Sequence, residues 1–159
     1  MRILGIDPGL NVTGIGLIEQ NGRSISCVEY DQIVLARNLS LSVRLKTIHE
    51  NLAGIIIRTR PDAVAIEDIF YGKNVQSLIK QGHARGVIIL AAVQAGLAVS
   101  EYSPLEIKKA VACYGRAEKQ QVQQMVRAIL RLDEPPPPDA ADALAVAICH
   151  LHCGKKDCL

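Results

Sequence analysis

The amino-acid sequence predicts an α/β domain in which a mixed five-stranded sheet carries helices on both faces. Three features predict this fold. Three strand-like segments separated by turn signals open the chain, which is typical of an antiparallel meander. Two further short apolar runs follow, and each is preceded by a long segment with helical periodicity. The rest of the chain has a helical pattern, so these helices are expected to cover the faces of the sheet.

Turn residues mark the ends of the first three strands. An apolar run at residues 3–6 predicts a short buried strand, which Pro8-Gly9 ends. A second strand is predicted at 11–19, and a tight turn at 20–22 leads into a third strand at 24–34. The two turns predict that these strands pair antiparallel.

The later elements follow from spacing. Apolar residues three and four apart predict a helix at 40–59, which Arg60-Pro61 ends. The last helix follows Pro135-Pro136-Pro137-Pro138, an extended linker that cannot be helical. The remaining predicted elements are strands at 63–66 and 97–102 and helices at 74–95, 104–112, 118–132 and 139–147.

Length and composition indicate one globular domain, which we predict at residues 1–152, with a disordered tail at 153–159. Apolar residues make up 49% of the chain and charged residues 21%, which excludes an intrinsically disordered protein. No run of 18 apolar residues occurs, and the N-terminus lacks a charged-then-apolar leader. We therefore expect a cytoplasmic protein that does not associate with membranes.

Five cysteines, odd in number and unevenly spaced, argue against a disulfide framework. Several ligand-type side chains crowd the C-terminus: His150, His152, Cys153 and Cys158. A zinc site is one interpretation, but the spacing matches no familiar zinc finger. A frayed, reduced tail is the alternative that we expect.

Charge is unevenly distributed along the chain, although its net value is only +2. Residues 70–131 contain nine basic and three acidic residues, a net charge of +6, whereas the remainder carries nine basic and thirteen acidic ones. A basic middle beside acidic ends is typical of a polyanion-binding face next to an acidic site. A set of ordinary solvated helices is the alternative interpretation.

Four acidic residues stand at the ends of predicted elements. Asp7 and Glu67 end two core strands, whereas Asp139 and Asp142, three residues apart, lie on one face of a helix start. Each has a simpler explanation, because Asp is common in turns and acids are favoured at helix N-termini. If the first and fourth strands are parallel neighbours, however, all four carboxylates gather at one edge of the sheet.

Carboxylates gathered in this way repel one another unless divalent cations bind among them. Oxygen ligands favour hard ions such as Mg²⁺ or Mn²⁺ over Zn²⁺. Two such ions about 3.5–4 Å apart can activate water and stabilise a leaving oxygen in phosphodiester cleavage. The acids therefore predict a metal-dependent nuclease.

Several segments together resemble the RuvC family of bacterial Holliday-junction resolvases, which belongs to the RNase H-like superfamily. The resemblance covers about residues 2–152. It rests on Gly5-Ile6-Asp7-Pro8-Gly9, Ile66-Glu67, Phe70 with Lys73-Asn74, Ala84-Arg85-Gly86, Ala117-Glu118-Lys119 with Gln121-Val122, and the run from Asp139 to Ala145. It implies an RNase H-like fold and an endonuclease that resolves Holliday junctions in DNA recombination and repair by paired, symmetric cuts.

The resemblance also assigns roles to residues. The metal-binding acids of the family fall on Asp7, Glu67, Asp139 and Asp142, which would hold two Mg²⁺ ions, with Mn²⁺ as a substitute. The family's catalytically important lysines fall on Lys108 and Lys119, and an exposed helix lysine is the alternative interpretation of Lys119. Phe70 would stack on a base rather than lie in the core. The expected DNA contacts are Phe70, Lys73, Asn74, Lys80, Arg85, Lys108, Lys109 and Lys119.

Three partners follow from the resemblance: a four-way DNA junction, a second copy of the chain and the RuvA-RuvB branch-migration complex. Paired cuts on a two-fold symmetric junction imply a homodimer. The helix at 74–95, rich in small and apolar residues, is its expected surface, with Ala84 and Ala91 exposed there. The alternative is that this helix is simply sandwiched within the domain.

Two other functional classes remain open at this point. Actin-like ATPases and sugar kinases share the strand-ending Gly-x-Asp-x-Gly, but they need a second subdomain that 159 residues cannot hold. A non-catalytic junction-binding module is the other alternative, and the complete set of four acids argues against it.

Overall fold

The computed structural model describes residues 1–69, 75–113, 115 and 117–154, and its sheet is built outward from the first strand. β1 (Arg2–Asp7) pairs antiparallel with β2 (Val12–Asn21), which pairs antiparallel with β3 (Ser24–Val34). On its other side, β1 pairs parallel with β4 (Ala63–Glu67), and β4 pairs parallel with β5 (Ala98–Tyr102). The order β3-β2-β1-β4-β5 confirms the predicted mixed sheet.

Helices cover both faces, as predicted. They are α1 (Leu41–Thr59), α2 (Val75–Gln94), α3 (Pro104–Ala112), α4 (Lys119–Leu130) and α5 (Pro138–Cys153). Alternate residues of β1 divide the apolar core between the faces, because successive strand side chains point in opposite directions. Ile3 packs with α3, α4 and α5, whereas Leu4 and Ile6 pack with α1 and α2.

Local signals explain where α1 and α3 begin and end. The Ser40 hydroxyl accepts a hydrogen bond from the backbone N–H of Val43, and Arg60 ends α1 in a left-handed conformation with φ of 47°. At α3, Ser103 and Glu106 form a reciprocal capping box, and Pro104 occupies the first turn. These caps place α3 directly after β5, beside the carboxyl end of the sheet.

α5 lies against the sheet with almost no side-chain layer between the two backbones. A Cβ atom on Gly5 would stand 2.1 Å from the carbonyl oxygen of Ala143, and one on Gly14 would stand 2.0 Å from that of Asp139. A Cβ on Gly16 would likewise stand 2.7 Å from the backbone nitrogen of Leu144. Only glycine permits this approach, which fixes the start of α5 over β1 and β2.

The sequence prediction differs from the structure at several element boundaries, among them the first hairpin turn and the start of α5. The hairpin turn lies at Gly22-Arg23, because Asn21 still pairs with Ser24, and Gly22 supplies the positive φ of 62°. α5 begins at Pro138 rather than after it, since proline is tolerated in a first helical turn.

α5 also extends to Cys153, beyond the predicted end at 147, so the expectation of a frayed tail is wrong for His150 and His152. The His150 ring is buried, and its Nδ1 lies 2.9 Å from the Tyr102 hydroxyl. Cys153, predicted to open a disordered tail at 153–159, is the last residue of α5. Cys158 lies outside the described residues, and the tail stays a prediction for residues 155–159. Within the described ranges, no helix is long and apolar enough to cross a membrane.

The close approach of α5 predicts the effect of Gly14→Ala. The new methyl group would collide with the backbone of Asp139, so α5 or β2 must shift, and we expect the free energy of unfolding to fall by about 1–3 kcal/mol. Gly54→Ala in α1 is the control, because its added Cβ would meet nothing within 4 Å. That change should stabilise by up to about 1 kcal/mol. Urea denaturation measures both, and unchanged stability of Gly14→Ala would contradict the packing.

Candidate active site

Two of the four acids meet because their strands are parallel neighbours. The register pairs Ile6 of β1 with Ile66 of β4, so the next residue of each strand, Asp7 and Glu67, lies at the same edge of the sheet. Their carboxyl groups are hydrogen-bonded to each other. The conditional prediction that the first and fourth strands are parallel neighbours is confirmed.

α5 brings the other two acids to the same place. Asp139 is in its first turn and Asp142 one turn further on, above the end of β1. The Asp139 carboxylate accepts a hydrogen bond of 3.0 Å from Nε2 of Gln32. The Asp142 carboxylate lies 3.2 Å from Nζ of Lys119, the first residue of α4. Both carboxylates thus have partners outside their own helix, which simple capping does not explain.

The four acids and two lysines line one cleft of about 440 Å³ at the carboxyl edge of the parallel strands. Lys108 of α3 and Lys119 of α4 form its basic side, and Gln81 of α2 also lines it. The predicted acids and the predicted catalytic lysines are therefore brought together by the fold. A cleft with both charges is suited to a negatively charged substrate that binds with cations.

Burial and mutual repulsion both disfavour charge on the acids. Burial, and then the charges of Glu67 and Asp142, raises the pKa of Asp7 to about 8. Burial also raises the pKa of Glu67 and of Asp142, although the ammonium of Lys119 opposes both shifts. In return, the charge of Asp142 raises the pKa of Lys119. The pKa of Asp7, Glu67 and Asp142 is thus raised above that of an isolated carboxyl group.

The donor set fits hard divalent cations, because it consists of partly buried carboxylates with unfavourable mutual charge. The Lys119 ammonium, 3.2 Å from the Asp142 carboxylate, offsets part of that charge. Within the described part of the chain, no three His, Cys, Asp or Glu side chains are arranged to hold an ion. Ion binding would therefore require the contacts of Asp142 with Lys119 and of Asp7 with Glu67 to give way to the cation.

The predicted DNA contacts fall into four groups. Lys80 and Lys109 are exposed on α2 and α3, and Lys108 and Lys119 line the cleft. Arg85 of α2 forms an ion pair with Glu101 and another with Asp68, the latter at 3.3 Å. The last group, Phe70, Lys73 and Asn74, lies outside the described residues.

Sequence reasoning missed two polar residues of this region, Gln32 and Gln81. Gln32 is separated from Asp139 by 107 positions, and no local pattern connects them. Gln81 lines the cleft from α2, and the many small and apolar residues of α2 indicated a packing helix rather than part of a site. Neither residue is in a motif, so neither could be found without the fold.

Comparison with known proteins gives one consistent family. The family model described as "Crossover junction endodeoxyribonuclease RuvC" matches residues 3–150. The RuvC of Caldanaerobacter subterraneus is 52% identical over 153 residues, covering 96% of this chain and 93% of the relative. The RuvC of Syntrophotalea carbinolica is 54% identical, covering 96% and 95%.

Solved structures agree with the sequence matches. Thermus thermophilus RuvC superimposes with a TM-score of 0.86 at 35% identity, covering 96% of this chain and 94% of that one. The same protein in complex with a Holliday junction substrate gives 0.87 at 33% identity, with the same coverage. The yeast mitochondrial resolvase Ydc2 has a TM-score of 0.69 at 11% identity, covering 94% and 77%, so it shares the fold.

The raised pKa of Asp7 predicts how stability depends on pH in a chelator. A carboxyl group whose pKa is about 8 in the folded state, and ordinarily 3.8, stabilises the fold fully below about pH 4. This contribution is lost progressively as the pH rises from about 4 to about 8, above which the group is ionised in both states. We therefore expect the melting temperature in EDTA to fall between pH 6 and 8, and excess Mg²⁺ to reverse the fall.

Asp7→Asn should remove most of this dependence, since the amide cannot ionise. Glu29→Gln is the matched control, because the Arg58 partner lowers the pKa of Glu29 and so keeps its titration outside this pH range. Differential scanning calorimetry measures all three proteins. Equal slopes for wild type and Asp7→Asn would contradict the assigned electrostatics.

Proposed function

We propose, from the premise that the chain belongs to the RuvC family of crossover junction endodeoxyribonucleases, that its acidic cleft hydrolyses phosphodiester bonds of a four-way DNA junction. The observation that carries the proposal is the meeting of four carboxylates and two lysines in one cleft. The family match over residues 3–150 leaves no support for a fragment of an ATPase or kinase. We place the activity in DNA recombination and repair in the cytoplasm.

Asp7, Glu67, Asp139 and Asp142 would hold two Mg²⁺ ions, with Mn²⁺ as a substitute. Bound there, the ions would supply Lewis acidity that activates a water nucleophile and stabilises the leaving oxygen. Asp7 is central in this scheme, because its carboxyl feels the charges of the other three acids. The raised pKa values support the assignment, since a cation would offset the burial and mutual repulsion that raise them.

Lys119 is proposed to neutralise charge on the scissile phosphate. Its side chain is 78% exposed, although its ammonium contacts Asp142. An exposed side chain can leave a carboxylate for a phosphate oxygen at little cost, because surface ion pairs contribute only about 0–1 kcal/mol. Lys108, on the same side of the cleft, would support the same charge.

DNA outside the cleft would be held by the basic residues around it. Lys80 and Lys109 are exposed and available for phosphate contacts, which position DNA without specifying sequence. By family resemblance we add Lys73 and Asn74, and Phe70 as a residue that stacks on a base at the opened junction. Arg85 would have to leave Glu101 and Asp68 to contact DNA, so a role in orienting the chain after β4 is better supported.

Two copies of the chain are needed for paired cuts, and the outward face of α2 is the proposed interface. Val75, Ile79, Leu90 and Val93 lie on one side of the helix and are 51–63% exposed. The expectation that Ala84 and Ala91 are exposed is wrong, because both are buried against the domain. By resemblance, the dimer would act with the RuvA-RuvB branch-migration complex.

Removing one ligand charge should separate cutting from binding. Asp7→Asn and Asp142→Asn should reduce Mg²⁺-dependent nicking of a synthetic four-way junction by orders of magnitude. Junction binding in EDTA should persist, because binding depends on the basic residues. Asp133→Asn, outside the cleft, is the control and should cut normally. If wild type binds junctions but shows no cutting with Mg²⁺ or Mn²⁺, the protein is a binding module instead.

The proposed interface predicts that Leu90→Glu and Val93→Glu are folded monomers. A carboxylate in an apolar interface is costly to bury, whereas on a monomer it would be solvated. Ile57→Glu is the matched control, since Ile57 is an apolar residue of a different helix, α1, and is 75% exposed. Light scattering coupled to size exclusion gives the masses. Dimeric Leu90→Glu and Val93→Glu proteins would place the interface elsewhere.

A further inference from the structure

Gln32, Gly14 and Asp7 lie opposite one another on three neighbouring strands, so they form a line across the sheet that ends at the acidic cleft. Asp7 of β1 is opposite Gly14 of β2, and Gly14 is opposite Gln32 of β3. Since Gly14 has no side chain, the start of α5 sits directly upon it, with the Asp139 carbonyl 2.0 Å from where a Cβ would stand. Gln32 can therefore reach Asp139 from two strands away.

The contact has a defined direction. Nε2 of Gln32 lies 3.0 Å from Oδ2 of Asp139. A carboxylate only accepts hydrogen bonds, so the amide must be the donor. The bond engages one of the two carboxylate oxygens and leaves Oδ1 without this constraint.

We propose that Gln32 is a positioning residue that holds the Asp139 carboxylate ready for a divalent cation. The inference rests on the proposed function, in which Asp139 is a metal ligand. Hydrogen bonds to ligating carboxylates fix their orientation, and removing such a bond typically costs 10–100-fold in metal affinity or activity. Gln32 is the residue of β3 that makes this bond.

The hydrogen-bond partner of Asp139, the neutral amide of Gln32, distinguishes it from Asp142. Asp142 is bound by the charged ammonium of Lys119, which a cation must displace or compete with. A neutral amide stabilises the ionised carboxylate without cancelling its charge. Asp139 therefore keeps its full attraction for a cation while its orientation is restrained.

If Asp139 only stabilised the start of α5, we would expect its carboxylate to form a different hydrogen bond. An Asp in a first helical turn ordinarily favours the exposed backbone N–H groups of its own helix. The N-cap of α5 is Pro137, which offers no side-chain cap, yet Asp139 turns outward to β3. The carboxylate thus makes a hydrogen bond to β3 and also lines the cleft.

The experiment is Mn²⁺ binding by isothermal titration calorimetry on full-length Gln32→Ala, Asp139→Asn and the double variant. We expect Gln32→Ala to weaken binding about 10–100-fold. Its melting temperature in EDTA should remain close to that of wild type. Nicking lost at limiting Mg²⁺ should be recovered at high Mg²⁺, which a folding defect would not allow. The double variant should bind no more weakly than Asp139→Asn, because Gln32 acts through Asp139.

Gln123→Ala is the matched control. Its Nε2 donates a hydrogen bond of 2.7 Å to the carbonyl oxygen of Pro136, so the change removes an amide anchor just before α5 without touching a carboxylate. We expect lower stability and unchanged Mn²⁺ affinity. An equal loss of affinity in Gln123→Ala and Gln32→Ala would overturn the inference in favour of general support of α5.

The remaining outcomes separate the two proposals. If Asp139→Asn binds Mn²⁺ as wild type does, Asp139 is not a ligand and the proposed metal set fails. If Asp139→Asn is weakened but Gln32→Ala is not, the positioning role of Gln32 fails and the metal set stands. Additive losses in the double variant would show that Gln32 acts by another route.

Discussion

Mutual repulsion among four partly buried carboxylates is the constraint to which the rest of this structure conforms. The four acids have partners of three kinds. Asp7 and Glu67 share a hydrogen bond, Asp142 has the Lys119 ammonium, and Asp139 has the Gln32 amide. These partners come from β3, from the end of β4 and from the start of α4, so most of the fold contributes to balancing one cluster of charge. The parallel pairing of β1 with β4 and the placement of α5 bring the four acids together, and Lys119 of α4 and Gln32 of β3 offset part of their repulsion.

Signals that lie within a few residues of one another made much of this predictable. Strand ends and helix starts are local, so Asp7, Glu67, Asp139 and Asp142 could be assigned to the ends of elements before any tertiary contact was known. The step from four element ends to one cleft needed the parallel pairing of two strands, which the alternation of helices and strands favours. The tail was the main local failure, because the helical pattern past residue 147 continues through buried Cys149 and His150.

Contacts that depend on which side of a helix or strand faces the core could not be predicted. The sequence of α2 shows many small residues but not which side meets the core, so Ala84 and Ala91 were placed outside when they lie inside. Arg85 looked like a phosphate ligand by its charge, yet it links α2 to Glu101 and to Asp68, the residue after Glu67. Gln32 carried no signal at all. Such side chains acquire their roles only when distant segments meet.

The burial of α5 has a consequence for how the protein loses its fold. Ten of its residues are buried, among them an unbroken run from Ala143 to His150, and the helix contacts both β1 and β2. A helix in that position cannot open by itself, so its amide hydrogens are expected to exchange with solvent only through global unfolding. Two of the four acids are on this helix. We therefore expect the acidic side of the cleft, formed by β1, β4 and α5, to open only when the whole domain unfolds.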